Sequence, residues 1–135
     1  MAVIWAACLY LLMAFAAGFA LGMIRALWIA PGIGETAAVF IELPVMVAVC
    51  WFACRAAIGW VRPSARAGPR IAMGAAWFVG LQGLEAVTAM VLRGWSMADW
   101  AQSLASPAGV AGLAAMMACA AFPWLQARQS RTPQP

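Results

Sequence analysis

The sequence contains no histidine, no lysine and a single tyrosine, and it has only four acids in 135 residues. Without histidine there is no Ser-His pairing for acyl transfer and no zinc-binding helix. The usual axial ligand for haem is missing for the same reason. No glycine-rich phosphate loop ends in lysine. Charged residues make up 9% of the chain, against about 25% in soluble domains, so a water-facing surface cannot be assembled around the whole of it. The N-terminus also lacks the basic region of a signal peptide, because the first basic residue is Arg25. The apolar run that precedes it exceeds the roughly 7–15 residues of a signal-peptide core. That run is expected to be a retained membrane helix.

What the chain has in abundance is apolar residues, at 67%, with a mean hydropathy of +0.91. A bilayer core about 30 Å thick needs roughly 20 apolar residues in helix. Four stretches qualify, at about residues 2–29, 36–60, 71–92 and 108–126. Pro31-Gly32-Ile33-Gly34 is expected to break the chain after the first. The segment from Arg93 to Pro107 reads as a loop or a short interfacial helix. Residues 127–135 read as a polar, disordered tail. Backbone groups left unpaired in lipid are costly, and runs apolar on every face do not suit a β-barrel. The fold class is therefore an all-α membrane protein, a four-transmembrane-helix bundle in one domain.

Orientation follows from the arginines. With four spans, the N-terminus, the loop carrying Arg62, Arg66 and Arg70, and the tail carrying Arg128 and Arg131 share one side. Counting Arg55, that side holds six arginines and no acid. The other holds Arg25 and Arg93 against Glu35, Glu42, Glu85 and Asp99. Such a bias places the basic side, with both termini, in the cytoplasm. It also accounts for the net charge of +4 without a nucleic-acid partner. Trp5, Trp60 and Trp124 are expected at the basic interface and Trp28, Trp95 and Trp100 at the other, with Trp51 and Trp77 deeper.

Ionisable groups inside the spans are the most informative feature, because each is costly in hydrocarbon and tends to face the bundle interior. Arg25, Glu42 and Glu85 fall at depths that agree within about one helical turn. They are expected to form one intramembrane charge cluster, with Gln82 a turn from Glu85 and able to hydrogen-bond it. The cluster reads either as a structural ion pair that fixes helix register or as a proton or ion site. Glu42 and Glu85 could in principle act as an acid–base pair, but nothing supplies a nucleophile or a metal, so no enzymatic activity is expected.

Gly18-x-x-x-Gly22 is the small-xxx-small pattern that lets helix backbones approach closely in lipid, within the bundle or at a dimer face. Cys50-x-x-x-Cys54 puts two thiols on one helix face. With no histidine and no second pair to complete a ligand set, core packing is the expected role and a soft metal the alternative. Pro44 lacks the donor for the Phe40 carbonyl and is expected to kink its helix. No cofactor is expected.

The run Gly18-x-x-x-Gly22-x-x-Arg25, Pro31-x-x-Gly34-Glu35 and Glu42-x-Pro44-x-Met46, with Arg70-x-x-Met73-Gly74 and Glu85, resembles a family of small uncharacterised bacterial inner-membrane proteins with four helices. The resemblance covers roughly residues 15 to 93 and implies a bacterial inner membrane and no particular activity. The signature residues of fluoride channels and small multidrug transporters are missing. The chain reads as a small inner-membrane protein acting as an accessory or scaffold component of a membrane complex. The alternative is a small oligomeric transporter or proton-linked channel using Arg25, Glu42 and Glu85. Its expected surroundings are the lipid bilayer and either a membrane-protein partner or further copies of itself.

Overall fold

A computed structural model describes residues 1–129. Arg131, expected at the basic end, lies outside the described residues. Among them, four helices are long and apolar enough to cross a membrane. They are α1 (Ala2–Ile33), α2 (Glu35–Val61), α3 (Ala67–Arg93) and α5 (Pro107–Gln129). A short α4 (Met97–Ser103) sits between the last two. The four long helices pack as a bundle, and the chain is a small four-span membrane protein.

The boundaries differ from the sequence reading in ways that proline explains. The first span does not stop near residue 29. Its regular part ends at Ile24, a π turn covers Arg25–Ile29, and Ala30–Ile33 continues it. Pro31 sits at the start of that last segment, directly after the π turn, and does not end the span. The reversal needs one residue, Gly34, at φ +88° and ψ 154°, a backbone conformation that a Cβ disfavours. α3 begins four residues before residue 71, because Pro69 lies in its first turn, where amides have no intrahelical partner anyway. Likewise Pro107 opens α5, and that helix runs on through residues 127–129 of the tail that the sequence places at 127–135, while residues 130–135 lie outside the described residues. Pro44 and Pro123 both lie inside unbroken helices.

Helix α1 packs on α2 and α3, and α5 packs on the same two. Helices α2 and α3, consecutive in the chain, therefore face each other across the diagonal of the bundle. Neighbouring axes some 8–10 Å apart put that diagonal at about 11–14 Å. Five extended residues reach roughly 17 Å, so the linker at residues 62–66 crosses with little slack. Its path is fixed at two points. Arg62 ends α2 in the left-handed region, at φ 50°, and its amide donates to the Ile58 carbonyl at 2.8 Å. Arg70 folds back from α3, donating Nε to the Ser64 carbonyl at 3.0 Å and Nη2 to the Pro63 carbonyl at 3.1 Å. Arg70 is buried, and the linker carbonyls replace part of the water its charge has lost, while Nη1 stays buried without a hydrogen-bond partner.

The core lies in the half of the bundle nearer the linker. Helix α1 turns Ala6, Ala7, Tyr10 and Ala14 inward, small residues one turn either side of a single large ring. The Tyr10 ring stacks on Trp77 of α3, with centroids 4.7 Å apart and an 11° interplanar angle. Its hydroxyl donates across the bundle to the Cys119 carbonyl of α5 at 3.1 Å. Cys50, Cys54 and Cys119 are buried in this core, whereas Cys8 is exposed. Trp51 meets Phe122 edge-on at 5.1 Å, and Gln126 donates to the Trp51 carbonyl at 3.0 Å. Trp5, Trp28 and Trp60 are exposed near helix ends, and Trp77 is buried.

Candidate functional site: an arginine shared by two carboxylates

The end of the bundle away from the linker carries all four acids, together with Arg25 and Arg93. Arg25 stands where α1 leaves regular helix for the π turn. A π turn advances the chain with wider hydrogen-bonded rings and re-aims the side chains on it. From there the guanidinium meets α2 twice. Nη1 lies 3.3 Å from Glu42 Oε2, and Nη2 lies 3.5 Å from Glu35 Oε1. Glu35 and Glu42, seven residues apart, share a helix face. The side chains of Arg25 and Glu42 are 16% and 14% exposed, and that of Glu35 is 57% exposed. The inner pair is thus largely desolvated and the outer carboxylate stays at the rim. The Arg25–Glu42 contact is electrostatic rather than an aligned hydrogen bond, because Arg25 Nε and Glu42 Oε2 remain buried without a hydrogen-bond partner.

Glu85 on α3 is half-buried. Arg25, Arg93 and Glu42 act on it electrostatically. Among the described residues no ion pair within 4.0 Å reaches it, so it borders the pair without joining it. Gln82 does not serve this site. Its Nε2 lies 3.7 Å from the Met116 sulfur of α5, and its Oε1 is buried without a hydrogen-bond partner. Gln82 sits on the side of α3 that packs on α5, and that neighbour captures the amide.

The glycine pattern also works differently from expectation. A Cβ on Gly18 would meet only the Met46 side chain, its methyl at 3.4 Å and its sulfur at 3.8 Å, and one on Gly22 would meet nothing within 4 Å. The long Met46 side chain spaces α1 from α2, so their backbones do not touch at this motif. The close approach lies elsewhere. A Cβ on Gly74 of α3 would overlap the Ala120 carbonyl oxygen of α5 and come within 3.0 Å of its carbon. Gly74, Arg70 and Tyr10 are the structural residues that sequence reasoning did not single out for these roles. Tyr10 carried one usable signal, as the sole tyrosine of the chain, placed in the apolar run before Arg25.

Outside the spans, α4 is closed at its start by a capping box. Asp99 N–H donates to Ser96 Oγ at 3.1 Å, and Ser96 N–H and Oγ–H donate to Asp99 Oδ2 at 2.8 and 2.7 Å. The Ser96 hydroxyl, and then its backbone amide, hold the Asp99 carboxyl below the usual carboxylate range. Near it, Arg93 lies over the Trp95 ring at 4.9 Å. No three His, Cys, Asp or Glu side chains converge as a metal site among the described residues. Comparison with family models, curated proteins and solved structures finds no match, so no family is assigned.

Proposed function

We propose that this chain is a non-catalytic accessory or scaffold component of a larger membrane complex. We place it in a bacterial inner membrane with both termini and the 62–66 linker in the cytoplasm. The observation that carries the scaffold reading is the sharing of Arg25 between Glu42 and Glu35. The desolvated charge is used to hold α1 to α2, which is what a structural clamp requires. Tyr10, Met73 and Trp77 fill the other half of the core. Exposed side chains such as Phe19, Met23, Leu27 and Trp28 on α1 are left to meet lipid or a neighbouring protein.

Purification in gentle detergent, from membranes in which the chain is expressed at its natural level, tests this reading. A membrane protein should co-purify in fixed ratio. Purification of the chain alone, together with proton flux when it is reconstituted into vesicles loaded with a pH dye, would contradict it. That second outcome belongs to the transporter reading, which Glu85 favours by standing beside the pair unbridged. Glu85→Gln separates the two. A scaffold keeps its partner in this variant, whereas a proton site keeps its fold and loses flux.

Orientation has its own check. A cysteine placed at Ser64, in a chain whose exposed Cys8 is replaced by Ser, should resist a membrane-impermeant thiol reagent added to intact spheroplasts. It should react once the membrane is opened. Labelling in intact spheroplasts would reverse the assignment.

A further inference from the structure

The contact between Gly74 and Ala120 shapes the outside of the bundle as well as its packing. Where α3 and α5 meet backbone to backbone, small residues leave a trench on the lipid-facing side. Ile71, Ala75 and Phe78 form one wall, and Met117, Ala121 and Trp124 form the other. Its volume is about 540 Å³ and its lining is apolar, within the roughly 300–1,000 Å³ of small-molecule sites. Toward the linker the trench is followed by a smaller pocket of about 210 Å³, lined by Ala65, Ala67, Ala127 and Arg128. Trp124 lines both spaces. The Arg128 guanidinium lies over the Trp124 ring, 4.5 Å from its centroid, and is exposed. Exposed Arg62 and Arg66 stand in the adjacent linker.

An apolar channel that ends at a tryptophan and a cluster of arginines has the shape and polarity of an amphiphile with an anionic head. We propose that the α3–α5 trench binds one anionic phospholipid, with an acyl chain between Ala75 and Ala121 and its phosphate at Arg128. Trp124 sits at the junction of head and chain, the position that suits an indole. Charge argues against a second copy of the chain as the occupant. A two-fold contact through this face would bring Arg128 and its neighbouring arginines against their own images, with no acid at this end to offset them. This inference is independent of the scaffold reading and survives its failure.

The test uses the full chain, delipidated in detergent and examined by native mass spectrometry. Phosphatidylglycerol and phosphatidylcholine with identical chains are titrated separately. One phosphatidylglycerol should bind at least about fivefold more tightly, the increment expected for one arginine at a lipid surface. Arg128→Gln should remove the preference and leave chain-driven binding of both lipids. Ala121→Trp, which fills the trench, should weaken both, and Ala75→Phe provides the same test from the opposite wall. These positions face outward, and unchanged thermal melting identifies the variants that fold. Equal binding of the two lipids by the parent chain, a preference that survives Arg128→Gln, or unchanged lipid binding in the folded trench-filling variants would overturn the proposal. So would a loss of dimer mass on filling the trench, which would assign the face to a second copy.

Discussion

Gly74→Val should destabilise the bundle by about 3 kcal/mol or more, the upper part of the range for overpacking a close contact. At this position any Cβ runs into the Ala120 carbonyl, a backbone group that cannot rotate away. Relief requires α3 and α5 to separate, and separation loosens the contacts around Trp77 and Phe122, both part of one buried cluster. Gly74→Ala should lie lower, at about 1–3 kcal/mol. Gly22 is the internal control. It belongs to the recognisable small-xxx-small motif, yet a Cβ there meets nothing within 4 Å. Gly22→Ala should be neutral or slightly stabilising, because helical glycine costs about 0.5–1 kcal/mol relative to alanine. Unfolding in mixed micelles of mild detergent and dodecyl sulfate compares the three. Equal effects at Gly22 and Gly74 would mean that the α3–α5 contact is not where the structure puts it.

Arg25→Gln should cost about 3–5 kcal/mol, the range for removing one partner of a buried ion pair. Most of that loss comes from leaving Glu42 desolvated and unpaired, not from the attraction itself. It follows that Arg25→Gln combined with Glu42→Gln should recover most of the stability. Glu35→Gln should cost far less, about 0–1 kcal/mol as for surface pairs, since its side chain is 57% exposed. The same micelle titration reads all three. A double variant no more stable than Arg25→Gln alone would contradict this assignment of the cost.

Four spans are legible in the sequence because apolar runs of that length have few alternatives, and helices are forced by the need to pair every backbone group in lipid. The meeting of Arg25 and Glu42 is legible for a related reason. Two opposite charges at one depth in adjacent spans lower each other's cost only by facing. Helix ends are less legible. Pro31 and Pro69 look like breaks, yet Pro31 follows a π turn inside the first span and Pro69 sits in a first turn, where proline is tolerated. The ring order of the helices leaves no mark on composition, so Arg70 reads as one more orienting charge when it is in fact the clasp of a diagonal linker. Gly74 is one of 12 glycines, and only the helix opposite it distinguishes it from the rest. Gln82 shows the same limit, since its amide follows α5 and not the carboxylate one turn along.

The intramembrane arginine is committed to α2 and only borders Glu85. Coupling energies from two double-mutant cycles, Arg25 with Glu42 and Arg25 with Glu85, each built from Gln substitutions, read out that commitment. A coupling of at least about 2 kcal/mol is expected in the first cycle, and near-additivity, within about 0.5 kcal/mol, in the second. Strong coupling of Arg25 to Glu85 with additivity toward Glu42 would contradict it.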